Sequence, residues 1–211
     1  MLKLFYAPNA CSLASHIALA EAGAEFEAVR VDTKAGEQRQ PAYLAINPKG
    51  RVPALVTPRG VLTENVVILG WVAQSYPDAH LKPDGDFYAF SEMQSFNLYL
   101  ASTIHVTFAH LFRTERWAES ASAIAEIKAK VPSSLKDQWK LIEDRLSDGR
   151  PWVCGQQYTV ADSYLYVFAR WLERDCVGGS ANMPLTRTHR ARTQERAAVK
   201  KVLAAEGIEP L

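Results

Sequence analysis

The chain has 211 residues, 48% of them hydrophobic, and a formal net charge of +1. That length suits one large domain or two small ones around a sizeable core, and the near-neutral balance argues against a nucleic-acid-binding protein. The longest apolar run, Val66 to Ala73, is too short to span a bilayer, and the opening residues lack the apolar core of a secretory signal, so no membrane partner is expected.

Leu2 to Tyr6 reads as a strand, stopped by Pro8 and Asn9. From Cys11 onward, Leu13, Ile17 and Ala20 fall at helical spacing, and Gly23 ends that helix. Phe26 to Val31 alternates as a second strand, completing a β-α-β unit and implying parallel pairing. Pro41 opens a short helix that Pro48 ends. Val52 to Val56 and Gly60 to Thr63 form a hairpin across TPRG, and Asn65 caps a helix running to about Tyr76. This is the element order of a thioredoxin-like fold, over residues 1–77.

Residues 78–86, rich in Pro, Asp and Gly, read as a linker. Beyond them, residues 87–211 carry only helical patterns. Phe90, Met93, Asn97, Leu100, Ile104, Phe108 and Leu111 describe one long helix, and Ser133 to Leu146 another, with Pro132 starting or kinking it. Thr159 and Asp162 have capping-box spacing, a structural pair whose loss should cost about 1 kcal/mol. The basic stretch Arg187 to Arg196 reads as a solvated helix face, and a last helix spans Ala197 to Glu206 before Gly207. The fold class is therefore an α/β thioredoxin-like N-terminal domain joined to an all-α C-terminal domain.

Cys11, Cys154 and Cys176 show no CxxC or metal-finger spacing, which points to free thiols in the reducing cytoplasm and to no metal. Cys11 falls at the start of a helix, where backbone N–H groups and the dipole favour a thiolate, and Ser12 is placed to add a hydrogen bond. A buried structural cysteine is equally compatible with that position. Val52-Pro53, after a glycine loop, is a candidate cis bond that would offer the Val52 backbone to an extended peptide. A trans proline at a strand start is the plainer alternative. Glu64 at the next strand-to-helix junction suits an ammonium and the following helix start suits an anion, which together fit an α-amino acid end; an ordinary helix start also fits.

The segments FYAPNACSLASHIAL, INPKGRVPAL, LTENVVI and WVCGQQYTVADSYLY, in that order, resemble the bacterial beta-class glutathione S-transferases over nearly the whole chain. The resemblance implies a homodimeric glutathione transferase of the cytoplasm, acting on a small electrophilic or disulfide substrate. It implies glutathione as co-substrate, held by Cys11, Val52, Pro53, Glu64 and Asn65, with Lys34 toward the glycine carboxylate. It gives His105 a place facing the glutathione thiol, and so a share with Cys11 in catalysis. A ligand-binding protein without catalysis on the same scaffold is the alternative. Three features depart from the family: Asn65 replaces a serine, Leu98 stands where an asparagine is usual, and residues 178–196 are unusually polar. Phe108, Phe112, Trp117 and Trp171 are the candidates for the wall of the second-substrate pocket.

Overall fold

The computed structural model describes residues 1–174 and 179–211, so Cys176 and the first residue of the polar segment 178–196 lie outside the described residues. Strand β1 (Leu2–Tyr6), helix α1 (Leu13–Glu21) and strand β2 (Phe26–Arg30) form the expected unit, with β1 and β2 parallel. Helix α2 (Pro41–Leu44), strands β3 (Ala54–Thr57) and β4 (Gly60–Thr63) and helix α3 (Asn65–Ser75) follow. The sheet order is β2-β1-β3-β4, with the β1–β3 and β3–β4 pairs antiparallel. Period-2 geometry sends Leu2, Leu4 and Tyr6 inward, while Phe5 meets Tyr43 of α2 across the opposite face at 5.7 Å.

Helix α1 ends as its sequence dictates. Gly23 takes a φ of 63°, its N–H reaches the Ala20 carbonyl and that of Ala24 reaches Leu19, a Schellman closure. The helix is buried on more than one side, because it packs on α3 and on two helices of the carboxyl-terminal region.

That region is helical: α4 (Phe87–Tyr99), α5 (His105–Phe112), α6 (Ala121–Leu146), α7 (Val160–Trp171), α8 (Pro184–Gln194) and α9 (Ala197–Glu206). Outside the sheet, the described residues contain only an isolated bridge, Trp152 with Gly155. The expected long helix is α4 and α5 joined by a π-helical turn at Leu100–Ile104, directly before His105. Such turns insert an extra residue and re-aim the side chains that follow.

Pro132 neither starts nor ends a helix. Helix α6 begins eleven residues earlier, at Ala121, capped by the Ser120 hydroxyl, and Pro132 sits inside it. The buried stripe Val131, Leu135, Trp139, Ile142 and Leu146 holds the helix together through the proline. Helix α7 is buried along its whole length and forms the axis of the molecule.

Candidate active site

Cys11 lies one residue before the N-cap of α1, on a loop pinned from several directions. The Ala7 N–H donates to Ser12 Oγ at 3.1 Å and the same hydroxyl donates to the Ala7 carbonyl at 3.2 Å. Ser12 is thus committed to the loop and not to the thiol, against the expectation. The Asn9 N–H donates to Glu206 of α9 at 3.0 Å, and Trp171 Nε1 donates to the Asn9 carbonyl at 3.1 Å. Two residues far along the chain therefore fix the turn that carries Cys11, and no local pattern marks them.

The Cys11 thiol donates to the Val52 carbonyl at 3.5 Å, so the nucleophile candidate and the peptide-dock candidate meet. The Val52-Pro53 bond is cis, as expected. The loop before it is anchored by two donors on one acceptor: Tyr43 Oη at 2.7 Å and Asn47 Nδ2 at 2.6 Å, both to the Arg51 carbonyl.

One expectation is overturned here. Burial pushes the Cys11 thiol up to about 11; hydrogen bonding from Asn65 and the Cys11 and Ser12 amides favours the thiolate but does not outweigh it. The helix start is present and Cys11 is only partly buried, yet desolvation of its sulfur is the larger effect.

Asn65 does not cap α3. The cap position belongs to Glu64, and Asn65 is buried, accepting from Ser15 Oγ at 2.7 Å and donating to the Cys11 carbonyl at 3.0 Å. It ties the start of α3 to the start of α1, and buried Tyr164 of α7 comes within its hydrogen-bonding reach. Glu64 is exposed and pairs with Lys49 at 2.6 Å. Its φ of 71° is a conformation that non-glycine residues seldom adopt and that clusters at ligand sites.

His105 stands across the cleft, half-buried, with its ring 5.4 Å from Phe168 and 5.5 Å from Trp171. Burial first, then the positive fields of Arg51 and Arg116, lower it to about 4. Near pH 7 the ring is neutral, which leaves it a hydrogen-bonding partner and removes the imidazolium role. Tyr6 is buried and its ring tilts onto His16 at 5.0 Å.

A cavity of about 310 Å³ opens beside this cluster, lined by Gln38, Arg39, Leu44, Lys49, Arg51 and Arg116 among others. Lys34 is not among its lining residues. It lies exposed on the turn after β2, with its amide on Asp32 at 2.9 Å. The cations at the cleft are ones sequence reading passed over, because lone arginines in loops carry no pattern. Of the proposed pocket aromatics, Phe108 is fully buried core, while Trp117 is 46% exposed and rests on His110. Leu98 points outward and Asn97 inward, with Asn97 Oδ1 buried and unpartnered.

Thr159 and Asp162 sit apart from this cluster and form the expected capping box of α7. Asp162 does more than cap: it also accepts from the Val153 N–H at 2.8 Å and pairs with His189 Nε2 of α8 at 2.9 Å. Among the described residues, no group of His, Cys, Asp and Glu is arranged to hold a metal ion, and no helix is long and apolar enough to cross a membrane.

The first 74 residues match the glutathione S-transferase N-terminal domain. Glutathione S-transferase GstA of Escherichia coli O157:H7 is 36% identical over 211 residues, 99% of this chain and 100% of that protein. GST-4.5 of Xanthomonas campestris pv. campestris is 32% identical over 98% of this chain and 100% of its own length. Among solved structures, a Sulfitobacter glutathione transferase homolog with bound glutathione superposes with a TM-score of 0.90 at 40% identity, covering 99% of both chains. The beta-class enzyme of Sphingomonas chungbukensis gives 0.84 at 36% identity, over 98% of this chain and 100% of that one. Similarity of this extent, spanning sheet, cleft and helices alike, places the chain in the glutathione S-transferase family, beside its bacterial beta-class members.

Proposed function

We propose that the protein is a glutathione transferase that docks glutathione along Val52, with the cysteinyl sulfur beside Cys11. The single observation carrying this is the Cys11–Val52 contact of 3.5 Å, within a chain whose whole-length relatives are named transferases. A purely ligand-binding role is not favoured, since most of the thiol, dock and clamp residues are kept, Asn65 being the exception.

In this reading Glu64 exchanges Lys49 for the ammonium of the γ-glutamyl end, and the free amides at the start of α3 receive its carboxylate. Asn65 acts indirectly, by holding the Cys11 carbonyl. His105, neutral, faces the glutathione thiol as a hydrogen-bonding partner and shares with Cys11 in catalysis. The glycine end runs toward Arg51 and Arg39, with Lys34 a more distant partner. Thr159 and Asp162 contribute stability and not chemistry. Residues 1–77 form the glutathione-binding unit, 78–86 the connection and 87–211 the helical unit that carries the second-substrate pocket.

We place the protein in the cytoplasm as a homodimer. The exposed apolar residues Val67, Phe87, Tyr88 and Leu98 support a covered face, and sedimentation equilibrium measures the assembly. The function itself is tested by glutathione-dependent conjugation of 1-chloro-2,4-dinitrobenzene. Native mass spectrometry after glutathione disulfide treatment, with Cys11→Ala as control, tests the mixed-disulfide route. Absence of both saturable conjugation and a Cys11-dependent adduct would sink the reading.

A further inference from the structure

The cleft holds more positive charge than glutathione can use. Arg39, Lys49, Arg51 and Arg116 line one cavity, and only Lys49 has a carboxylate partner, Glu64. Among the described residues, no carboxylate lies within ion-pair distance of Arg39, Arg51, Arg113 or Arg116. The glycine carboxylate of the tripeptide satisfies one of these cations. The rest face the opening with nothing opposite them.

Arg116 is the informative member, because it comes from the helical side. It ends the short 3-10 turn Thr114–Arg116 that follows α5. That turn is held in place: Thr114 is buried and donates to the His110 carbonyl, and the Trp117 ring packs at a tilt on the His110 ring at 4.3 Å. A fixed turn thus sets Arg116 on the wall of the same cavity as Arg51, which precedes the peptide dock. The two cations disfavour one another, and Arg113 adds to the effect; the carboxylate whose field reaches Arg116, Glu115, is a weaker influence than either. Both Arg51 and Arg116 also act on His105, so the empty positive space adjoins the reacting centre. Its volume of about 310 Å³ falls at the lower end of the range for small-molecule sites, about 300–1,000 Å³.

Like charges facing each other across a cavity next to a nucleophile call for an anion between them. We infer that the second substrate is a small electrophile bearing a carboxylate, oriented by Arg116. The inference rests on the transferase reading. In the reaction the glutathione sulfur attacks the electrophilic carbon and a C–S bond forms. The bond to the leaving group breaks, the leaving group departs with its electron pair, and the thiol proton passes to solvent. The carboxylate takes no part in bond changes. It sets which electrophiles reach the sulfur in line.

The test uses a matched pair, 4-chloro-3,5-dinitrobenzoate and its neutral amide, with the full-length protein. The expected result is a kcat/KM ratio of acid to amide of about ten at low salt, shrinking as ionic strength rises and the arginine field is screened. Arg116→Gln should bring that ratio down by about threefold to tenfold, and Arg116→Lys should restore most of it. If the acid has no advantage in the unaltered protein, or keeps it in Arg116→Gln, the inference is wrong. It is equally wrong if Arg116→Gln raises the KM for glutathione and leaves the ratio alone, since the arginine would then serve the tripeptide. Conjugation of neither compound would bring down the transferase reading, and the inference with it.

Discussion

Asp162→Ala should be far more destabilising than the loss of a helix cap. The carboxylate is fully buried and accepts from the Thr159 N–H and the Val153 N–H at 2.8 Å each, from the Thr159 hydroxyl at 3.0 Å and from His189 at 2.9 Å. A lost cap costs about 1 kcal/mol, but truncation here strands buried donors at about 1–3 kcal/mol each and breaks a buried pair, for which about 3–5 kcal/mol is typical. Taking about 4 kcal/mol, and about 2–4 °C per kcal/mol for a chain of this size, the melting midpoint should fall by roughly 8–16 °C. Thermal unfolding by circular dichroism reads the midpoint, and a double-mutant cycle with His189→Ala isolates the link to α8. The KM for glutathione, measured well below the new midpoint, should stay within about twofold. A shift under about 3 °C would refute the network, and loss of glutathione binding in protein that melts normally would move Asp162 into the site.

Cys11 in the free protein should be alkylated by iodoacetamide with a midpoint near pH 11 and should react little near neutrality; a midpoint at or below 8.5 would show that the helix start outweighs burial. The His105 ring, followed by NMR, should remain neutral from pH 8 down to 5 and titrate only near pH 4, and a midpoint of 6.5 or higher would contradict its enclosure. Glu64→Ala should raise the KM for glutathione roughly tenfold, the lower end for a charge-assisted contact because the side chain is exposed; an unchanged value would make it only a helix-start residue. At saturating glutathione, His105→Ala should lower turnover about tenfold and Tyr6→Phe far less. A dead Tyr6→Phe with a normal His105→Ala would reassign that share in catalysis.

What the sequence made legible was whatever local pattern controls. Alternation in β1, the Gly23 stop and the Thr159-Asp162 spacing each depend on a few neighbouring residues, and each is found as read. At Pro132 the helix runs through the proline and does not start there, because a local rule was outvoted. An interior proline costs about 3 kcal/mol, which the buried stripe from Val131 to Leu146 and the Ser120 cap offset. Helix α8 has the solvated basic face expected, with Arg187 and Arg192 exposed, but its other face was not legible. Thr186, His189 and Thr193 recur at helical spacing and are all buried, but they are polar, so hydropathy reads their face as solvated. Their burial becomes sensible only with partners from other helices: Trp139 and Glu143 on Thr186, and Asp162 on His189. The same holds at the site. Cys11, Val52 and Glu64 sit in readable motifs, whereas Glu206, Trp171 and Arg116 act through placements that only the fold creates.

The electrostatics of the cleft then decide between two uses of its sulfur chemistry. Its two central titratable groups are both held uncharged, Cys11 near 11 and His105 near 4. At pH 7 that leaves Cys11 mainly as the thiol, the weaker nucleophile of its two forms. A buried thiol and a neutral imidazole cannot form the ion pair that activates cysteine enzymes. Glutathione changes the terms, because in the docking proposed above its sulfur comes from solvent to lie beside the amides of Cys11 and Ser12 and under the field of Arg51. The field that disfavours an imidazolium favours an anion, so a cleft that keeps its own groups neutral is suited to a thiolate supplied by the substrate. Conjugation by bound glutathione is therefore the reaction this arrangement serves best, with Cys11 as a hydrogen-bonding neighbour whose own exchange chemistry waits on a ligand or a higher pH.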